Sequence, residues 1–594
     1  MKPALDWLDQ RTGYKKLLHE ALFENVPGGA RWRYVWGSTL TFCFAVQVIT
    51  GLFLWLAYSA SAQTAWESVY YIQHEMAGGW FLRGLHHYTA QAMTVLLVLH
   101  LMQVVIDGAY KAPREVNFWT GILLLLLVLA LSLTGYLLPW DQKGFWATKV
   151  ATSIMAITPF VGPALQKLVV GGSDYGHLTL TRFLAVHAGF IPGAIIAFIG
   201  AHIWLFRRHG LTAKEPRRKP DAPFWPGQVL CDAVACLAVL AVVLFLVVRY
   251  HGAELGAPAD PSEPFGAARP EWYFLFLFQL LKYFPGGTEI WGAMVVPGLL
   301  MLVLAAMPFI GKWKLGHRFN VGFLWVMLGG VALLTWLAVN EDRHNPDYAI
   351  AVAAAERDAE RVVALARSPD GIPQTGAATL LRHDALTQGP KLFAKNCASC
   401  HRYDGGNGLG GTPTGKIGAS DLKGFASREW LAGLLDPKQV DGPHYFGGTK
   451  FKDDKMVGFV KKDVAGFSAE QKAQLQQVIV ALSAEAGLKS QRVLDAGDVA
   501  IIDQGKKLIG SAGVSCTDCH QFHVADADAV APDLTGYGSR EWLVAFITDP
   551  SHARFYGKDN DRMPAFGKDQ RLSTQEIGLV ADWLRGEWYQ PEKP

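Results

Sequence analysis

Seven apolar stretches, centred on residues 34–58, 81–106, 118–138, 183–206, 228–250, 291–310 and 321–340, are each long enough to cross a bilayer as a helix. Lipid offers the backbone no hydrogen-bond partner, so such stretches must satisfy their own peptide groups. The first 340 residues therefore read as an all-α bundle of seven transmembrane helices. The loops orient it. Lys and Arg crowd "DGAYKAPREVN", "RRHGLTAKEPRRK" and "GKWKLGHR", three alternate connections, whereas residues 59–79 carry none. By the positive-inside rule the N-terminus is cytoplasmic and everything past residue 341 lies outside, as in a multi-pass protein of a bacterial inner membrane. Residues 1–30 are amphipathic and show no cleavable leader. Lys and Arg total 55 against 52 Asp and Glu, a balance that gives no reason to expect a nucleic-acid partner.

The polar remainder contains a repeat. "QGPKLFAKNCASCH" matches "QGKKLIGSAGVSCTDCH", and "DLKGFASREWL" matches "DLTGYGSREWL". Two copies of a small α-helical domain are expected at 383–487 and 488–594, after a helical linker at 343–382. Each holds one CxxCH, the signature of covalent c-type haem: Cys397 and Cys400 with His401, then Cys516 and Cys519 with His520. The histidine takes one axial iron position, and a methionine further along commonly takes the other. Met563 of "RMPAFG" is the candidate in the second copy. Met456 of "KMVGFV" is the candidate in the first, against His444 or an open position. Cys43, Cys231 and Cys236, in or beside apolar stretches, read as small buried hydrophobes.

Histidines inside apolar helices are functional candidates by default. His86 and His100 are 14 residues apart on the second stretch, about 40° short of four turns and about 21 Å along the axis. His187 and His202 are 15 apart on the fourth, about 60° past four turns. Both stretches run from outside to inside, so His86 should meet His187 near the outer face and His100 should meet His202 near the inner. Two non-covalent b-type haems, each held by two histidines, would fill the gap. His87 points about 100° away from His86 and drops out. Gly37 and Gly51, then Gly121 and Gly135, repeat the 14-residue interval and are expected to leave room for the flat face of each haem. Arg83 and Arg182, outward of the outer histidines, are candidates for the propionates or simple interfacial anchors.

At "TLTFCFAVQVITG", "TGYLLPWDQKGFWA", "LTRFLAVHAGF" and "PEWYFLFLFQLLKYFP" the chain resembles cytochrome b of the quinol:cytochrome c (or plastocyanin) oxidoreductases, the bc and b/f complexes. After the amphipathic segment at 1–30, the resemblance implies a four-helix di-haem domain at 31–210 and a three-helix domain at 211–342. The remainder resembles tandem mono-haem cytochrome c domains. Pro270, Glu271, Trp272 and Tyr273, with Tyr136, correspond to residues bordering the quinol-oxidation site, Glu271 being placed to accept a substrate proton. Arg207 is the local candidate beside an inner quinone-reduction site, or equally a topology anchor. The extra covalent haem of b/f complexes is not expected, because Val35 stands where the family has its cysteine.

The resemblance further implies a Rieske iron–sulfur partner, the quinone pool, a periplasmic cytochrome c or terminal oxidase as acceptor, and a homodimer. It implies bifurcation: one electron through the Rieske partner to the c haems, the other through the b haems to quinone. The rival reading is a non-bifurcating electron conduit between a quinone-reactive partner and periplasmic cytochromes.

Overall fold

A computed structural model describes residues 2–212, 220–413, 415, 417–511, 514–526 and 528–591. The basic run over 213–219 lies outside the described residues. The chain divides into two compact units, Met1–Ala366 with Ile372–Ala378, and Arg367–Gly371 with Thr379–Pro594. The helix Pro346–Ala366, read from sequence as linker, thus belongs to the first unit.

Among the described residues the first unit contains seven helices of spanning length and apolar character: α1 (Trp36–Ala57), α2 (Gly79–Ile106), α3 (Glu115–Tyr136), α4 (His177–His209), α5 (Gly227–Arg249), α6 (Trp291–Ile310) and α7 (Gly316–His344). Their outward sides expose large hydrophobics such as Leu56, Phe190, Phe245 and Val326, a surface that a water-soluble unit could not sustain and that lipid covers. This is a multi-pass membrane protein.

Helix α1 packs along α2, and α3 along α4. An apolar layer of Cys43, Phe44, Met93, Leu96, Val128, Ile191 and Ile195 fills the middle of this four-helix group. Helix α5 leans on α1 and α2. Helices α6 and α7 close against the far ends of α2 and α3 through Val105, Tyr110, Phe118, Leu304, Met307 and Leu324. Helix α4 is not uniform: Ala185–Phe190 forms a π turn. Such a turn takes in an extra residue, which is why fifteen residues from His187 to His202 can cover what fourteen cover on α2.

The second unit holds the repeat. Its longer helices are α8 (Ala385–Asn396), α9 (Arg428–Leu434), α10 (Lys455–Lys462) and α11 (Ala469–Ala486) from the first copy, with α12 (Val499–Ile509), α13 (Arg540–Thr548) and α14 (Thr574–Leu584) from the second. The copies use the same local chemistry. Ser427 and Ser539 cap α9 and α13 by accepting from the Trp430 and Trp542 amides, each at 3.1 Å. Ser468 with Gln471 and Ser573 with Glu576 form capping boxes on α11 and α14. The expected pair of successive domains does not separate into two compact units, and both copies fall within one.

Candidate functional site

The structure brings His86 to His187 and His100 to His202. In both pairs the ring centroids are 6.4 Å apart, with the planes crossed at 67° and 76°. Two imidazoles bound at about 2.0 Å to one metal between them would have centroids roughly 6 Å apart, so each pair is spaced for a single iron. Among the described residues no group of three or more His, Cys, Asp and Glu gathers for a metal.

The hydrogen bonds turn the right nitrogens inward. Thr50 Oγ1 lies 2.9 Å from His86 Nδ1, Thr120 Oγ1 3.0 Å from His202 Nδ1, and Thr134 Oγ1 3.3 Å from His187 Nδ1. Each hydroxyl spends its hydrogen on a carbonyl of its own helix, Val46, Asn117 and Ala130. Thr50 and Thr120 must therefore accept from their imidazoles, and His187 Nδ1 also donates to the Leu131 carbonyl at 3.1 Å, which puts the proton on Nδ1 in all three and leaves the Nε2 lone pair for iron. A threonine precedes Gly51, Gly121 and Gly135, a doublet in the sequence whose use the spacing alone does not reveal. Gly37 follows Trp36 instead, and the buried Nδ1 of its partner, His100, has no hydrogen-bond partner among the described residues.

A Cβ on Gly51 would lie 3.2 Å from His86 Cε1, on Gly37 3.8 Å from His100 Cε1, on Gly121 3.3 Å from His202 Cε1, and on Gly135 2.5 Å from His187 Cε1. All four glycines make room for the imidazole edges. Gly135→Ala is accordingly expected to displace His187 and halve the b-haem content, while Gly37→Ala keeps both haems. Haem b per chain, from the reduced spectrum, checks this.

Arg83 is committed largely to the protein: it donates to Gln73 Oε1 at 2.9 Å, to the Ala253 carbonyl at 2.7 Å and to the Glu254 carbonyl at 2.6 Å. Its position outward of His86 thus serves to hold the segment after α5. Arg182 is exposed, with its guanidinium against the tight turn at Gly171. Arg207 pairs with Glu24 at 3.5 Å, beside a groove lined by Leu17, Glu20, Trp204 and Arg208.

The segment Pro270–Tyr273 is fixed from both sides. Arg269 clamps Asp342 at the end of α7 through Nε at 2.9 Å and through a second nitrogen at 2.6 Å. The Tyr136 hydroxyl donates to the Arg269 carbonyl at 3.5 Å. Trp272 Nε1 donates to Gln91 at 3.3 Å, and the Gln91 amide contacts His87 Nε2 at 2.8 Å. His87, on a different side of α2 from the paired rings, is thus occupied beneath Trp272. Gln91, Arg269 and Asp342 carry no signal in the sequence, since each acts across more than 70 residues of chain. Burial pushes the Glu271 carboxyl above the ordinary carboxylate range, against the pull of nearby Lys143.

Comparison with known proteins follows this geometry. Residues 91–258 match "Cytochrome b(N-terminal)/b6/petB", residues 258–355 match "Cytochrome b(C-terminal)/b6/petD", and residues 386–477 match "Cytochrome c". The menaquinol:cytochrome c reductase cytochrome b subunit of Geobacillus thermodenitrificans is 38% identical over 215 residues, 35% of this chain and 96% of that protein. The chain belongs to the cytochrome b family. Cytochrome b6 of Synechococcus sp. is 35% identical over 212 residues, 36% of this cytochrome b and 99% of that protein. A solved structure titled "Hyperthermophilic respiratory Complex III" matches at a TM-score of 0.50 and 26% identity, over 60% of this chain and 95% of that one.

Haem cofactors follow from the family. In the cytochrome c part of this cytochrome b, His401 Nδ1 donates to the Ser420 carbonyl at 2.8 Å, and His520 Nδ1 to the Pro532 carbonyl at 2.7 Å. Both rings keep Nε2 available, and burial holds both imidazoles below their usual pKa, in the neutral form that binds iron. Cys397 and Cys516 each border an apolar cluster. Met563 lies in the cluster around Cys397, on a loop held by Asn560 Nδ2 donating to its carbonyl at 2.9 Å. Met456 sits in the first turn of α10 beside Leu435, Phe446 and Phe459. His444 sits against a carboxylate, its Nδ1 3.8 Å from Asp421 Oδ2.

Proposed function

We propose that this cytochrome b is the membrane core of a quinol:cytochrome c oxidoreductase in a bacterial cytoplasmic membrane. Quinol is oxidised at the outer face beside Glu271, and quinone is reduced at the inner face near Arg207. Bound haem supplies the one-electron chemistry. The chain's share is to hold two b haems with His86–His187 and His100–His202, and two c haems with His401, His520 and the four CxxCH cysteines. Tyr136, Pro270, Trp272 and Tyr273 shape an apolar recess in which Glu271 takes the quinol proton.

One observation carries this reading over a bare conduit: a carboxylate whose pKa burial raises, in a segment clamped by Arg269–Asp342 and by Trp272–Gln91. A conduit needs no proton acceptor there. The relatives named as menaquinol:cytochrome c reductase subunits support it.

Division of the quinol electrons requires an acceptor outside the chain. No cysteine–histidine set for an iron–sulfur cluster is present in the sequence beyond the two CxxCH motifs, so a separate Rieske subunit fits that role. The chain works as a homodimer, with N-terminus inside and haem-c tail outside.

The test is the purified complex. Pyridine haemochrome spectra should give two b haems to two c haems, a Rieske protein should co-elute, and added quinol should reduce the c haems with sensitivity to outer-site inhibitors. Quinol-independent c-haem reduction with no Rieske partner would return the chain to the conduit reading.

A further inference from the structure

In the tail, α9 pairs with α11 and α13 with α14 inside their own repeats, but the first helix of each repeat packs chiefly on the last helix of the other. The first helix of the first copy, α8, packs on the last helix of the second, α14, and α12 of the second copy packs on α11 of the first. The crossings are reciprocal down to equivalent glycines. A Cβ on Gly389 of α8 would lie 2.3 Å from Trp583 Cβ on α14, and one on Gly505 of α12 would lie 2.1 Å from the Gln477 carbonyl on α11. Gly389 and Gly505 occupy the same place in their motifs, "QGPKLF" and "QGKKLI".

The clusters divide the same way. Cys397, Phe393 and Tyr403 of the first copy pack with Met563, Phe566 and Trp583 of the second, and Tyr403 stacks on Trp583 at 4.3 Å. Cys516, Leu508 and Val514 of the second copy pack with Trp430, Leu475 and Phe459 of the first. The chain crosses over at the matched segments "GFAS" and "GYGS". There Ala426 and Gly538 both take a left-handed conformation, φ 62° and 74°. A Cβ on Gly538 would come within 2.3 Å of the Ala426 Cβ, so only one of the two turns can carry a side chain at the crossing. Arg585 ties it shut, donating to the Ala486 carbonyl of the first copy at 2.6 Å.

We propose that the two c-haem pockets are exchanged between the repeats, an intramolecular form of domain swapping. The haem bound by Cys397, Cys400 and His401 takes Met563 as its sixth ligand, and the haem bound by Cys516, Cys519 and His520 lies in the pocket that holds Met456. This rests on the CxxCH segments carrying haem, and says nothing about quinol chemistry. Neither repeat then owns a complete haem site, and the tail folds as one unit.

Single-haem versions of the full chain test it. Cys516→Ala with Cys519→Ala leaves only the haem on Cys397 and Cys400. In that background Met563→Leu should abolish the long-wavelength thioether band of the oxidised haem and lower its reduction potential, because methionine ligation raises it. Met456→Leu should change neither. In the converse background, Cys397→Ala with Cys400→Ala, Met563→Leu should leave the remaining c haem's band and potential in place, which separates loss of a ligand from loss of the fold. The b haems, held by two imidazoles, contribute no thioether band. If Met456→Leu is the change that strips the band from the Cys397 haem, or if Met563→Leu disturbs both haems alike, the exchange is refuted.

Discussion

A chain carrying His100→Leu is expected to assemble with one b haem in place of two, to keep both c haems, and to lose quinol:cytochrome c turnover. His100 and His202 face each other at 6.4 Å, and a leucine in place of His100 offers no donor to iron. The other level should survive, because the layer of Phe44, Met93, Leu96, Val128 and Ile195 separates the two pairs and packs without reference to the lost ligand. Loss of an outer-shell partner of a metal costs about 10–100-fold in affinity or activity, and loss of the ligand itself should exceed that. The remaining pair would face a gap of about 21 Å along α2 with no relay in it. Haem b per chain and steady-state turnover decide it. Two b haems in His100→Leu would show that His100 is not a ligand.

The features that physics forces locally are the ones legible in the sequence. Lipid leaves apolar stretches no alternative to helix, so the seven spans can be placed from hydropathy and length alone. The histidine pairing follows from helical phase, although the phase on α4 comes right only through the π turn at Ala185–Phe190, which no spacing rule announces. The glycine interval is visible but its use is not, since a missing Cβ does not say which neighbour fills the space. Contacts such as Trp272–Gln91 and Arg269–Asp342 cannot be read at all, being set by how distant helices come together. The exchange of helices in the tail is hidden for a sharper reason. Two copies with the same motifs, the same serine caps and the same crossing glycine satisfy every local rule whichever partner they choose, so neither copy's sequence announces the choice.

Glu271→Gln is expected to lower quinol oxidation by about 10²-fold or more, the usual scale for losing a positioned general base, with all four haems retained. The pH dependence gives the sharper reading. Burial raises the Glu271 pKa, so the carboxylate that accepts the proton forms at higher pH than an exposed one would. Below that pKa the group is protonated and cannot act; above it the base is complete. Wild-type kcat should therefore rise with pH through the raised pKa and then level, and the Gln variant should lack this rise, its deficit being largest on the alkaline side. Asp342→Asn serves as the contrast. It loosens the clamp on Arg269 without touching the base, so it should depress the rate and keep the pH-dependent rise. Rates of quinol oxidation across pH for the three proteins separate the roles. A Glu271→Gln enzyme with full activity and the wild-type profile would take the proton acceptor away from "PEWY" altogether and leave the buried carboxylate a structural group.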